Sequence, residues 1–349
     1  MEISSPTREK EITPDQIMQV GIGFMASKTL LAAVRLDLFT HLSSGPLTGQ
    51  EIQRKLGIHR RSLYDFLDAL VALGFLAREG MKDSASYRNT AETGTFLDKQ
   101  KPSYIGGVLE MANNRLYKFW GSLEEGLRTG TPQNEIRESG APLFDALYSD
   151  PARLREFIAA MRGVQMGAIM AFAGQFDFSP FATLCDIGGA SGALCVQVAR
   201  DNPHMTFVTT DLPAVQPIAE EYIASAGLGD RVKAISLDFF GEPAFPKADV
   251  ITMGNILHDW GLRDKKMLIK KAYDALPKGG AFVVMENIID NDRSSNAAGL
   301  LMSLNMLIET SEGFDYTFRD FEEWVTEAGF SRTEILPLAG PTSAAVAIK

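Results

Sequence analysis

The chain of 349 residues has little cysteine and little histidine. Its two cysteines, Cys185 and Cys195, cannot build a disulfide framework or a multi-cysteine zinc site, and we interpret both as small core residues. Four histidines are scattered along the chain at His41, His59, His204 and His258. Because they show no metal-ligand spacing, we expect catalysis without a metal ion.

Positive charge and long apolar runs are also scarce. Acidic residues number 44 against 34 lysines and arginines, which gives a net charge of −10 and a pI near 5.1. Nucleic-acid binding needs basic surface, so we expect no nucleic-acid partner. The N-terminal 15 residues carry charges where a signal peptide needs an apolar stretch, and no uninterrupted apolar run reaches the roughly 18 residues of a membrane span. The prediction is a cytoplasmic protein without a membrane partner.

The most informative segment is LCDIGGASG, which is followed by the apolar stretch ALCVQVARD. An apolar run that ends on an acid and two glycines and then opens a helix is typical of a nucleoside-cofactor loop. Gly188 and Gly189 would let the backbone come close to a ligand, and Asp186 would lie at the edge of the sheet. Asp211 and Leu212 end a second run, TFVTTDL, where a ribose-binding acid belongs.

The N-terminal third reads as helical. Apolar residues recur at helical spacing over residues 14–40 and predict one long amphipathic helix. A helix, a turn, a second helix and a polar hairpin follow. This order is typical of a winged-helix domain, which either binds DNA or pairs two subunits. We favour a dimerisation domain at residues 1–101, because the basic excess over residues 51–88 is slight. Residues 102–178 read as a helical linker and pocket wall, broken at 130–132 and 140–142.

Strands and helices alternate over residues 179–349, which predicts an α/β fold. We expect a Rossmann-like doubly wound parallel sheet, because each apolar strand is followed by a helical segment. The last two strand-like runs, RTEILPL and SAAVAIK, are closely spaced and predict an antiparallel hairpin at one sheet edge. The residues that end the apolar runs would share one rim: Asp186, Asp211, Asp238, His258 and Glu286.

This acidic rim indicates the cofactor. No lysine or arginine ends any of these runs, so a pyrophosphate is disfavoured there. S-Adenosylmethionine carries a sulfonium, an ammonium and a ribose, and it suits the rim better than NAD.

The chain resembles the class I small-molecule O-methyltransferases that include caffeate, acetylserotonin and bacterial natural-product enzymes. The segment GNILHDW, followed by DALPKGGAFVVMENII, carries the resemblance most strongly, and TDLP, LDFF and the helical N-terminal module extend it over nearly the whole chain. The resemblance implies a homodimer paired through the N-terminal domain. One departure is Ala190, which stands where relatives commonly have a third loop glycine.

The resemblance also implies residue roles. Gly188 and the neighbouring loop would hold the methionine part of the cofactor and Asp211 the ribose, while Asp238 and Phe239 would hold the adenine. His258 would be the general base, flanked by Glu286 and Asp315. We also place Met161 on the cofactor side.

The residues support the base independently of the resemblance. A phenol with a pKa of about 10 is a poor nucleophile at neutral pH, and a histidine with a pKa of about 6.5 is free to accept its proton. Glu286 is expected to hydrogen-bond the far imidazole nitrogen and fix the tautomer. For Asp259 we favour a cap on the helix near Leu262 and keep substrate contact as the alternative.

Methionines at helical spacing predict an adaptable pocket for a flat aromatic acceptor that carries a hydroxyl. Further pocket candidates are Met166, Met170, Met302, Met306, Asn305, Phe119, Trp120 and Phe314. The leading hypothesis is O-methylation of a phenolic or enolic small molecule. Two alternatives remain, a winged-helix regulator that senses a metabolite, and an N- or C-methyltransferase on the same fold.

Overall fold

The computed structural model describes residues 12–101, 103–135 and 150–349. The helix break predicted at 140–142 and most of the charged N-terminal segment lie outside these ranges. The chain divides into two compact units, Met1–Asn113 and Asn114–Lys349. The division into three domains derived from the sequence stays a prediction.

The first unit is mainly helical, with a small antiparallel sheet of order β1-β3-β2. Its described elements are α1 (Asp15–Gly21), α2 (Gly23–Arg35), α3 (Leu38–His41), β1 (Leu47–Thr48), α4 (Gly49–Leu56), α5 (Arg60–Ala72), β2 (Leu76–Glu79), β3 (Ser86–Asn89), α6 (Ala91–Phe96) and α7 (Gly106–Met111). Helix α4 begins with a capping box between Thr48 and Glu51. Leucines of α5 and the ring of Tyr87 are buried in the core of this unit.

The single helix predicted over residues 14–40 was wrong. The structure has three helices there, because the chain turns at Ile22 between two glycines and again at Asp37, whose φ of 57° is left-handed. Helices α1 and α2 and the turn between them leave several large apolar side chains exposed. These are Ile17, Met18, Val20, Ile22, Phe24 and Met25.

The second unit contains a seven-stranded mixed sheet with helices on both faces. Its helices are α8 (Tyr117–Phe119), α9 (Leu123–Thr129), α10 (Pro151–Gln175), α11 (Ala193–Asp201), α12 (Gln216–Ser225), α13 (Leu262–Ala275), α14 (Ala297–Glu309) and α15 (Phe318–Ala328). Its strands are β4 (Thr183–Ile187), β5 (Thr206–Asp211), β6 (Val232–Ser236), β7 (Val250–Gly254), β8 (Ala281–Glu286), β9 (Arg332–Pro337) and β10 (Ser343–Ile348).

The strand order is β6-β5-β4-β7-β8-β10-β9. The first five strands are parallel, and β10 pairs antiparallel with both β8 and β9. The predicted doubly wound sheet and its C-terminal hairpin are confirmed. Because β4, β5, β7 and β8 are parallel, their carboxyl ends meet at one edge, which we call the site edge.

The sheet separates two apolar layers, since successive side chains of a strand point to opposite faces. On β8, Phe282 and Val284 pack in one layer and Val283 in the other. Cys185 and Cys195 are both buried free thiols, one in each layer, as predicted for small core residues.

Two helices are long and apolar enough to cross a bilayer by length and composition alone, Asp15–Arg35 and Pro151–Gln175. The first includes the break at Ile22, and a third of the apolar window of the second is buried within the protein. One or two such helices are weak evidence for a membrane span, because core helices of globular proteins pass the same test.

Candidate active site

The glycine loop follows β4 at the site edge. A Cβ on Gly189 would clash with Thr209 Oγ1 and Asp186 Oδ2, and one on Gly188 would clash with the side chain of Ile256. The packing of neighbouring side chains against the loop therefore favours glycine at both positions. Ala190 has a φ of 48°, so it adopts the left-handed conformation that the usual glycine would have.

Two acids support this loop, the half-buried Asp211 and the buried Asp186. Asp211 Oδ2 accepts a hydrogen bond from the backbone N–H of Ala190 at 2.9 Å, and Oδ1 accepts one from Leu212 at 2.8 Å. Asp186 Oδ1 accepts a hydrogen bond from the hydroxyl of Thr252 at 2.7 Å. Burial raises the pKa of Asp186 to about 7 and that of Asp211 to about 6. Such carboxyls favour a cationic or hydroxyl-bearing ligand beside them.

A narrow cleft of about 20 Å³ lies beside the loop. It is lined by Asp186, the loop residues and Gly254, and by Met161, Arg162 and Gln165 of α10. The structure thus brings Met161 to the loop. Arg162 and Gln165 were missed, because a charged and an amide residue in a helix read as its solvent face. The Arg162 guanidinium lies 4.5 Å from the ring centroid of Tyr222.

Asp238 and Phe239 follow β6. Asp238 is exposed, and its Oδ1 accepts a hydrogen bond from the backbone N–H of Phe240. Phe239 lies beside the loop, with Cε1 3.8 Å from the position of a Cβ on Gly188. Its ring packs edge-on with Phe240 and Trp260, so an aromatic wall borders the loop.

His258 lies in a 3₁₀ turn, Leu257–Asp259, just beyond β7, and is buried. Its Nδ1 is 3.2 Å from Asp315 Oδ1, and its Nε2 is 3.6 Å from Asp259 Oδ1. The contact with Asp315 suits an Nδ1–H donor, and Nε2 faces the carboxyl of Asp259.

The pKa of His258 differs from the value of about 6.5 assumed from the sequence. Burial alone would lower this pKa, but Asp259, Asp315 and Glu286 outweigh burial and raise it to about 9. The imidazole is therefore protonated at neutral pH in the free protein, which corrects the expectation of an imidazole that is mainly neutral there.

Two predicted contacts were wrong. Glu286 does not hydrogen-bond the imidazole. Its Oε1 accepts hydrogen bonds from the backbone N–H groups of Ile256 and His258, at 3.0 and 3.2 Å, and these bonds hold the turn in place. Asp259 does not cap α13, whose N-cap is Gly261 without a side-chain cap. Asp259 instead faces the imidazole, because the 3₁₀ turn directs its side chain inward.

Helix α14 carries the predicted acceptor contacts. The Trp120 indole donates to Asn305 Oδ1 at 2.9 Å, and the backbone N–H of Asp315 donates to Ser303 Oγ at 3.1 Å. Asn305 and Met302 are half-buried and Met306 is buried. These contacts place α14 next to the segment that holds the imidazole.

The other pocket candidates lie in different surroundings. Met170 is exposed and Met166 packs against the core, so neither supports the predicted methionine lining. Phe119 is buried, and Phe314 packs edge-on against Trp324. Among the described residues, no cluster of three or more His, Cys, Asp or Glu side chains has the arrangement of a metal site. Metal-free catalysis stays a prediction, tested by activity in the presence of EDTA.

Comparison with known proteins gives two family matches. A profile described as an O-methyltransferase domain matches residues 120–331, and one described as an O-methyltransferase dimerisation domain matches residues 18–99.

Individual relatives match over nearly their whole length. The tetracenomycin polyketide synthesis 8-O-methyl transferase TcmO of Streptomyces glaucescens is 40% identical over 336 residues, 96% of this chain and 97% of the relative. The N,N-dimethyltransferase OxyT of Streptomyces rimosus is 31% identical over 314 residues, 90% of each chain. The crystal structure of human N-acetylserotonin methyltransferase in complex with SAM superposes with a TM-score of 0.89, at 27% identity and 99% coverage of both chains.

The glycine loop, the acids of the site edge and the buried histidine thus occur in a chain that matches one family along its length. The protein belongs to the O-methyltransferases that carry a dimerisation domain and take the methyl group from S-adenosylmethionine.

Proposed function

We propose that this enzyme methylates a hydroxyl of a small aromatic molecule, phenolic or enolic, and that His258 is its general base. The observation that carries the proposal is the contact of Asp315 with Nδ1 of the buried imidazole, at the sheet edge that also bears the glycine loop. An oriented imidazole beside a cofactor loop is what proton removal from an acceptor requires.

The residues present fit S-adenosylmethionine. When bound, this cofactor supplies an electrophilic methyl group on a sulfonium. The carboxyls of Asp186 and Asp211 suit its positive charges and hydroxyls, and a narrow cleft lies beside the loop. The proposed contacts are Asp186, Gly188, Gly189 and Met161 for the methionine part, Asp211 and Leu212 for the ribose, and Asp238 and Phe239 for the adenine.

His258 Nε2 would accept the proton of the acceptor hydroxyl as its oxygen attacks. A pKa of about 9 makes neutral His258 a stronger base than an ordinary histidine and close to a phenol of pKa about 10. The imidazole must first lose the proton that Asp259, Asp315 and Glu286 help it to hold. A cation entering the neighbouring cleft would favour that loss, because positive charge lowers the pKa of a nearby histidine.

The acceptor would lie between His258 and α14. Asp259 and Asn305 are the polar groups proposed to contact it, and Met302 and Met306 the apolar ones. The relative at 40% identity is named a polyketide synthesis 8-O-methyl transferase, so we propose an aromatic polyketide as the acceptor. Methylation of nitrogen, for which OxyT is named, is the alternative that the experiment separates.

The enzyme is proposed to be a homodimer. Most of the exposed apolar residues of α1 and α2 lie within residues 18–99, the range that matches the dimerisation domain. Apolar area of this kind is most stable when a second subunit covers it.

The test is incubation with methyl-labelled S-adenosylmethionine and matched acceptors, each aromatic ring supplied once with a hydroxyl and once with an amine at the same position. The ring set covers polyketide aromatics, flavonoids, hydroxyindoles and simple phenols. We expect label in a methyl ether of a hydroxyl compound. Label on the amine of a pair and not on its hydroxyl partner would contradict O-methylation.

A further inference from the structure

Lys265 is a buried lysine near the base. It lies in the first turn of α13, with 0% of its surface exposed. The next lysine, Lys266, is half-buried and pairs with Glu327 across the protein surface. A lysine is almost never fully buried unless its charge is compensated, so the surroundings of this ammonium need an explanation.

The ammonium of Lys265 joins two segments of the site. Its Nζ donates a hydrogen bond to the carbonyl oxygen of Trp260 at 2.5 Å, directly after the turn that carries His258. It also lies 3.8 Å from the ring centroid of Phe314 and 5.6 Å from that of Tyr316. These two rings flank Asp315, so cation–π attraction holds the segment that bears the imidazole's carboxylate partner.

The charges around His258 come from four elements. Its own turn contributes Asp259, β8 contributes Glu286, the segment before α15 contributes Asp315 and the Tyr316 phenol, and α13 contributes Lys265. Two buried carboxyls, Glu286 and Asp315, and the half-buried carboxyl of Asp259 thus surround one imidazole. Lys265 supplies a positive charge that interacts with all three of them.

We propose that Lys265 is a positioning residue for the base: it holds the His258 turn against the Asp315 segment, and its charge limits how tightly the carboxylates retain the imidazole proton. This proposal rests on the proposed function, in which His258 must give up that proton. Burial lowers the pKa of Lys265 to about 8, while Glu286, Asp315 and Asp259 favour its charged form, so the ammonium is mostly protonated at pH 7.

The first experiment compares Lys265→Met with Lys266→Met. Imidazole nitrogen NMR follows the titration of His258 in the free protein, and His258→Gln assigns its signal among only four histidines. We expect Lys265→Met to raise the pKa of His258 by about one unit, and to lower kcat/KM at pH 7 about tenfold, because a smaller fraction of the imidazole is neutral. Lys266→Met should change neither. An unchanged or lowered His258 pKa in a folded Lys265→Met protein overturns the proposal.

A second experiment needs no substitution of Lys265. Coupling between two titrating groups is reciprocal, so His258→Gln, which removes the imidazolium, must raise the pKa of Lys265 by a similar amount. Selective carbon labelling of the lysine side chains reads this value. No change at Lys265 would overturn the proposal. The proposed base fails on a different readout, retained turnover in His258→Gln, so the two failures are distinguishable.

Discussion

Asp315 Oδ1 lies 3.2 Å from Nδ1 of His258, and this contact joins residues that are far apart in the chain. In the proposed mechanism, this contact leaves Nε2 of the imidazole to accept the proton of the hydroxyl. Asp315 is thus the carboxylate that orients the ring, because Glu286 instead accepts hydrogen bonds from the backbone of the turn.

Replacing Asp315 by asparagine removes the charge that steadies the imidazolium. We expect kcat above about pH 9, where the imidazole is neutral in both enzymes, to fall about tenfold or more, because an amide also permits the wrong tautomer. We also expect the pKa of His258 to fall. Steady-state kinetics and imidazole NMR measure both. Glu312→Gln, an exposed acid of the same loop, is the control. Unchanged kcat and unchanged His258 pKa would show that the contact has no role.

The pH dependence follows from the raised pKa of His258. Only neutral imidazole accepts a proton, so log kcat/KM for the methyl donor should rise with unit slope and level off at about pH 9. The stability of the fold should change with pH in the opposite direction to the rate. The folded state binds this proton more tightly than the unfolded chain, so the free energy of unfolding falls as the pH rises from about 6.5 to about 9. His258→Gln should lose this part of the slope, and a wild-type rate that is flat over the same range would refute the assignment.

Gly189 tests the packing of the loop. Alanine there would press its Cβ against Thr209 Oγ1 and Asp186 Oδ2, so we expect a loss of about 1–3 kcal/mol in the free energy of unfolding and weaker donor binding. Gly174 of α10 has nothing within 4 Å of its Cβ position, so Gly174→Ala should be neutral or stabilise by about 0.5–1 kcal/mol. Thermal unfolding and calorimetric titration compare the pair. Equal stability of the two variants would contradict this account of the loop.

The exposed apolar face of α1 and α2 tests the proposed dimer. Val20 is 76% exposed in the single chain, and Val20→Asp should shift the protein from dimer to monomer, because a charge would be buried at the interface. Light scattering after size-exclusion chromatography measures the mass. Met81→Asp, at an exposed apolar residue outside these helices, should leave the mass unchanged. A Val20→Asp protein that stays dimeric would place the interface elsewhere.

Much of the fold followed from the sequence. All seven strands of the large sheet and the C-terminal hairpin were predicted. Inner strands such as β8 are short, buried apolar runs bounded by turns, and the exposed edge strand β9 was predicted from its close spacing to β10. The break at Ile22 was missed, since apolar periodicity continues through it and only the local turn geometry ends the helix.

The sequence predicted which residues form the site better than it predicted which of them are in contact. His258, Glu286 and Asp315 do lie together, but which acid touches the ring depends on side-chain directions that spacing does not give. Lys265 was missed for a related reason. A lysine beside Asp264 and Lys266 reads as a solvent-facing helix residue, and its burial follows from the packing of α13 against the Phe314 segment.

The most direct test of the account is the turnover of His258→Gln on a hydroxyl acceptor, with donor affinity measured by calorimetry and His59→Gln, an exposed histidine, as the control. We predict a loss of about 100-fold or more in kcat with donor affinity retained, and no loss in the control. Near-normal kcat in a folded, donor-binding His258→Gln enzyme would contradict the claim that this imidazole removes the proton of the acceptor.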